Sequence, residues 1–175
     1  HTLSLHDALP ISVLERVFQE MLSLETVFSL HRHDSDLVRL NTRGIRRDPP
    51  VALVDVLMEA RKLGELSGGA FDITVLPALR IVRTSFLETS GPPAREHLQR
   101  AMSLIDYRKV EVERHQIRLA QPDIQLSLDG IAKGYIVDQG VGLLKEYGFT
   151  DVLVEAGGDL FASGRKRQGS DWNIG

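Results

Sequence analysis

The sequence predicts an α+β fold, with N-terminal helices packed on a mixed or antiparallel sheet that has one crossover helix. Three observations carry this expectation. Apolar residues recur at helical spacing as far as Leu104, and from Arg108 the period changes to that of a strand. A single further helical stretch, Asp129 to Tyr147, then separates two sets of alternating residues.

Ser12-Val-Leu-Glu15 has the spacing of a capping box. The recurrence of Val13, Leu14, Val17, Phe18, Met21, Leu22, Leu24 and Phe28 predicts a long amphipathic helix after it. Asp34-Ser-Asp36 caps a short helical piece that Asn41-Thr-Arg-Gly44 ends. Pro49-Pro50 opens a second long helix, with Val51, Val54, Leu57, Met58 and Leu63 on one side, and Ser67-Gly-Gly69 stops it. A short helix is expected between Leu76 and Gly91, and another from Pro92-Pro93 to about Leu104. Lys109–Glu113 and Gln116–Ala120 alternate around Arg114-His115 and read as a hairpin, with Ile124–Leu128 as the next strand. The helix Asp129–Tyr147 turns Ile131, Tyr135, Ile136, Leu143 and Leu144 inward and ends at Gly148. Asp151–Ala156 and Leu160–Ser163 are strands joined at Gly157-Gly158.

The 175 residues amount to one domain's worth, and 42% hydrophobic with 26% charged residues gives material for a buried core. A net charge of -3 argues against a nucleic-acid surface, and the absence of cysteine excludes disulfides, thiolate metal sites and cysteine nucleophiles. No apolar run reaches the roughly 18 residues of a membrane span. Residues 1–12 are expected to be a non-native or disordered leader, because His1–Pro10 has neither alternation nor a helical face and lacks a cationic start. Asp171-Trp-Asn-Ile-Gly175 starts a strand without a partner, so residues 13–175 are expected to be the N-terminal part of a longer domain.

Three glycine-bearing stretches could carry chemistry. In Leu126-Ser-Leu-Asp-Gly-Ile-Ala-Lys-Gly134 an apolar strand runs into a helix, whose unpaired N–H groups and nearby Lys133 could hold a phosphate. The alternative is that Asp129 is an N-cap and Lys133 a solvated side chain. Val154-Glu-Ala-Gly-Gly-Asp-Leu160 either lets the main chain approach a ligand or is a tight turn. Gly68-Gly-Ala-Phe-Asp72 either does the same or ends a helix and leaves Asp72 as a cap. No Walker loop is present, and His31-Arg-His33-Asp34 matches no standard zinc spacing.

Taken together in this order, these stretches resemble the ApbE family, the FAD:protein FMN transferases once described as thiamine-biosynthesis lipoproteins. The resemblance rests on Asp34-Ser-Asp-Leu-Val-Arg-Leu-Asn41, Gly69-Ala-Phe-Asp-Ile-Thr74, Gly130-Ile-Ala-Lys-Gly-Tyr-Ile-Val-Asp138 and Ala156-Gly-Gly-Asp159 followed by Gly164 and Trp172-Asn-Ile-Gly175. It implies an enzyme that splits FAD, releases AMP and esterifies FMN to a Thr or Ser hydroxyl of an acceptor flavoprotein, with Mg2+ required. By motif position Ala70, Phe71 and Asp72 contact FAD, as do Lys133 and the Gly157-Gly158-Asp159 turn, while Gly130 offers a backbone carbonyl to Mg2+. His31 stands where the family often places an aromatic residue beside the flavin. The family's Asp-Leu-Gly-Gly reads Ser127-Leu-Asp-Gly130 here, so the FAD contact of its first acid falls to Ser127 or to Asp129. The base and the side-chain metal ligands of the family are expected beyond residue 175, which leaves a flavin-binding or flavin-delivery module as the alternative function. The resemblance further implies a bacterial periplasmic or inner-membrane-associated protein, with membrane contact only through a lipid anchor outside this chain.

Overall fold

The structure is a computed structural model that describes residues 11–166 and 169–174. They divide into two compact units, one of Thr26–Ala132 and one of the residues up to Glu25 together with Lys133 onward. The leader expected at residues 1–12 lies outside the described residues over 1–10, whereas Ile11 and Ser12 begin helix α1 (Ile11–Phe28). Ser12 is therefore inside the helix and cannot be the N-cap of a capping box.

In the Thr26–Ala132 unit, helix α2 (Asp36–Arg43) is set by its ends. Ser35 is the N-cap, its hydroxyl accepting from Val38 N at 3.0 Å and donating to the Ser29 carbonyl at 2.6 Å. Gly44 closes the helix, donating to the Leu40 carbonyl at 2.8 Å. Strand β1 (Ile45–Arg47) follows and is not foreseeable, since three residues carry no readable alternation. It exists because it pairs antiparallel with β3 (Gln116–Leu119), which also pairs with β2 (Val110–Glu113), giving the order β1-β3-β2. The register aligns Arg46, Ile117 and Val112 on one face. Ile117 is fully buried there, and the Arg46 guanidinium is taken by Asp36 at 2.7 Å.

Helix α3 (Val51–Leu66) starts after Pro49-Pro50 as expected but presents a different face. Its buried stripe is Leu53, Val56, Leu57, Ala60 and Gly64, whereas Val51 and Met58 are exposed. The spacing from Leu53 through Leu57 and Ala60 to Gly64 runs straighter along the helix than the expected set, and this face meets the core. Helix α4 (Leu76–Thr89) fills nearly all of the stretch expected to hold a short helix, and α5 (Arg95–Met102) starts after the proline pair. Ile124–Leu128, expected as a strand, is mostly buried but joins no ladder.

In the other unit, α6 (Ala132–Glu146) packs Val137, Val141 and Leu144 with Val13 and Val17 of α1 and with Val152. The buried side of α6 thus differs from the expected one, since Ile131, Tyr135, Ile136 and Leu143 are only partly buried. Gly140 lies on the same side, facing Val17 and Met21 of α1. Strands β4 (Val152–Ala156) and β5 (Asp159–Ser163) form an antiparallel hairpin, and Phe161 packs on the same core. Asp171–Ile174 forms no strand, and the Trp172 indole N–H donates to the Ser163 carbonyl at 3.0 Å. The α+β class and antiparallel pairing are as expected, with α6 following the three-stranded sheet and preceding the two-stranded one.

The Asp106 carboxylate caps the 3-10 turn Tyr107–Lys109, and the Arg108 guanidinium donates to it at 2.8 Å, which holds its pKa below the ordinary carboxylate value. A depressed folded-state pKa contributes stability that is complete above the unfolded value of about 3.9 and is lost as pH falls through the folded value. Acidification below about pH 4 should therefore lower the urea midpoint more steeply for the wild type than for Asp106→Asn. The difference should be small, because Arg108 is mostly solvent-exposed.

Candidate functional site

The end of α3 hands over to Ala70-Phe71-Asp72 through Ser67, whose hydroxyl accepts from Phe71 N at 3.0 Å. Asp72 then caps a 3-10 turn, Ile73–Val75. Its Oδ1 accepts from Thr74 N at 2.8 Å and from the Thr74 hydroxyl at 2.6 Å, and its Oδ2 accepts from Tyr107 N at 2.8 Å. The Thr74 hydroxyl in turn accepts from Asp106 N at 2.8 Å. Two loops remote in sequence are thereby tied by a pair of side chains, one of which, Thr74, is fully buried. The Tyr107 ring lies over Gly64, where a Cβ would come within 2.8 Å of it. Of the two readings of Asp72, the capping one is present in the structure through Oδ1, while Oδ2 is taken by Tyr107 N.

The second stretch lies against the first. Ser127 N donates to the Ile73 carbonyl at 2.9 Å, and the Phe71 ring covers Gly130, where a Cβ would sit 3.2 Å from Cε2. Ser127 is buried and its hydroxyl accepts from Asp129 N at 3.3 Å, whereas Asp129 and Gly130 are exposed. The helix expected to begin at Asp129 or Gly130 begins at Ala132 instead. The reason is a turn: Ile131 N and Ala132 N both donate to the Leu128 carbonyl, at 3.0 and 2.8 Å. Asp129 thus belongs to the turn before the helix and is not its N-cap.

The other two expected site elements meet in the unit that holds α6. Lys133, exposed in the first turn of α6, donates through Nζ to the Gly157 carbonyl at 3.1 Å. Gly157 and Gly158 have φ of 58° and 102°, the positive values that a two-residue hairpin turn demands, and Asp159 opens β5 opposite Ala156. The Lys133 ammonium keeps further N–H donors beyond that bond. His31 lies in the exposed loop after α1, its backbone N–H donated to Ser29 Oγ at 3.1 Å. The structure thus joins Phe71 to Gly130 within one unit and Lys133 to Gly157 within the other.

Among the described residues no group of three or more His, Cys, Asp or Glu side chains could hold a metal ion. A hard cation such as Mg2+ needs an octahedron of oxygens, to which the Gly130 carbonyl would add one. These residues alone do not fit a magnesium site. Nor is any helix among the described residues long and apolar enough to cross a membrane.

Sequence reasoning placed Asn41 at the end of a helix and quoted it and Thr74 as motif residues, but gave no partner to either, or to Tyr107. The signal for Asn41 was available: it follows Leu37 and Leu40 on the buried side of α2, where a polar residue must find a partner.

Such an α+β chain, with glycine-bearing corners after α3, before α6 and between β4 and β5, falls in the class of flavin-transferase folds. It matches the flavinyl transferase ApbE of Pseudomonas stutzeri with a TM-score of 0.87 and 28% identity, over 98% of this chain and 56% of that one. It matches the flavin transferase ApbE of Vibrio cholerae with a TM-score of 0.82 and 25% identity, over 98% and 56%. The family model described as ApbE family matches residues 2–175, and the chain belongs to that family. It is 32% identical to an FAD:protein FMN transferase of Treponema pallidum over 94% of this chain and 50% of that protein, and 30% identical to one of Haemophilus influenzae over 83% and 44%. The chain spans about half the length of the curated relatives it matches.

Proposed function

We propose that this chain supplies flavin-binding elements of an FAD:protein FMN transferase. The names of its relatives support flavin transfer, and the observation that carries the reading is the Phe71–Gly130 contact. Two motif stretches far apart in sequence meet there, an aromatic ring against bare backbone, beside the exposed Asp129. In the proposed reaction the hydroxyl oxygen of a Thr or Ser on an acceptor flavoprotein bonds to the FMN phosphorus of FAD. The bond to the AMP phosphate breaks, AMP leaves, and the hydroxyl proton passes to a base outside this chain. Lys133 would offset phosphate charge with its remaining N–H donors, and Ala70, Phe71 and the 127–130 turn would contact the nucleotide. The Gly157-Gly158-Asp159 turn would contact it as well, and His31 would lie beside the flavin. The Mg2+ requirement belongs to the same proposal, with Gly130 giving a carbonyl and the other ligands lying outside the described residues. A periplasmic or inner-membrane-associated location is the corresponding proposal for where it works.

The rival reading is a flavin-binding or flavin-delivery module without transfer. An assay of flavin fluorescence on a gel-resolved acceptor separates the two. A longer protein carrying the sequence that follows in its relatives should transfer FMN, and the 175-residue chain should transfer none even in excess Mg2+. In the longer protein, Lys133→Ala should weaken FAD binding by about 10- to 100-fold, the worth of a charge-assisted contact of about 1.5–3 kcal/mol. Transfer by the 175-residue chain would place the catalytic groups within it, and an unchanged Lys133→Ala protein would return that lysine to a solvated role.

A further inference from the structure

The segment that leads into the 127–130 turn is mostly buried yet belongs to no sheet, so its backbone polar groups must find partners elsewhere. Asn41 supplies both for Leu126. From the C-terminal half of α2, its Nδ2 donates to the Leu126 carbonyl at 2.9 Å and its Oδ1 accepts from Leu126 N at 2.7 Å. One carboxamide thus makes both bonds that a neighbouring strand would make, across 85 positions of sequence. The clasp is enclosed: Asn41 is buried, and Leu126, Ile124 and Leu128 are almost wholly so. One residue further on, Ser127 N is held by the Ile73 carbonyl, and three residues beyond that lies Gly130 under the Phe71 ring.

We infer that Asn41 is a positioning residue for flavin-nucleotide binding: it fixes the height and register of Leu126, and through it the Ser127–Gly130 turn against Phe71. This rests on the flavin reading above. A side-chain clasp defines one position where a slipped strand could take several, because an amide with one donor and one acceptor edge fits a single residue's N–H and C=O. Asn41 is buried with both ends of its carboxamide on Leu126, so it acts through the main chain of that residue.

The test measures FAD affinity by quenching of flavin fluorescence, well below each variant's melting temperature, in the longer protein that carries the sequence following in its relatives, for the wild type, Asn41→Ala and the core variant Leu57→Ala. Leu57 is buried in α3 and supplies a destabilised control outside the proposed site. Asn41→Ala should lose at least about tenfold in affinity, whereas Leu57→Ala should stay within about twofold of the wild type despite its lowered melting temperature. Hydrogen exchange on the unaltered protein gives a readout that needs no variant. Without FAD, the Leu126 amide should exchange as slowly as the amides of the α2 interior. Unchanged affinity in Asn41→Ala, equal losses in both variants, or a fast-exchanging Leu126 amide would each overturn the inference while leaving the flavin reading in place. A wild-type longer protein that fails to bind FAD would overturn the flavin reading and this inference with it.

Discussion

Asp72→Ala should lower folding stability by about 2–4 kcal/mol, a larger loss than that of an ordinary helix cap. The substitution removes the acceptor of three hydrogen bonds, from Thr74 N, the Thr74 hydroxyl and Tyr107 N. The fully buried Thr74 hydroxyl then keeps only the bond it accepts from Asp106 N, and its own proton is left without a partner. Asp72→Asn keeps an acceptor at Oδ1 but turns an amide toward Tyr107 N, and should cost about half as much. Urea unfolding of the two variants measures the stabilities, and FAD titration of their folded forms tells fold from ligand contact. An Asp72→Ala protein as stable as the wild type but unable to retain FAD would mean that the carboxylate serves the nucleotide and not the fold. Intermediate FAD affinity with a large stability loss is the expected result, because Phe71 moves when its neighbour is released.

Gly164→Ala should destabilise by about 3–4 kcal/mol, the combined cost of a left-handed backbone and a steric collision. Gly164 has φ of 68°, and a Cβ there would fall 1.9 Å from Asp151 Oδ1 and 2.9 Å from Asp151 Cα. The carboxylate can swing away, but doing so gives up the bond it accepts from Arg165 N at 3.0 Å, and the Cα cannot move without β4. The open end of the β4–β5 hairpin would splay, leaving the Gly157-Gly158 turn on a weakened support. Thermal unfolding should show the loss. Asp151→Ala combined with Gly164→Ala should be more stable than the sum of the single effects predicts, since the first substitution removes the group that the second strikes. Simple additivity would show that the backbone conformation alone sets the cost.

What could be read without coordinates is what a few neighbouring residues settle among themselves. Ser35 and Gly44 bracket α2 because a hydroxyl reaches N–H groups three residues on and a glycine accepts the left-handed turn at the end. The β2–β3 and β4–β5 hairpins follow from alternation interrupted by two polar or glycine residues. The motif residues of the candidate site were legible as well, since Ala70–Asp72, Ser127–Lys133 and Gly157–Asp159 stand in the order that the family resemblance requires. Their partners were not. Tertiary structure decided that Ile45–Arg47 is a strand, because only β3 supplies its hydrogen bonds. It decided that Ile124–Leu128 is not one, because the Asn41 carboxamide and the Ile73 carbonyl satisfy that backbone first. It also decided which sides of α3 and α6 are buried: Gly64 lets Tyr107 come close where a side chain would hold it off, and α6 meets Val13, Val17 and Val152 through Val137, Val141 and Leu144. Local sequence thus fixed caps and turns, whose energy lies within one stretch of chain. Pairings between distant stretches needed the whole fold, because each depends on which of several competing groups reaches a buried N–H or C=O.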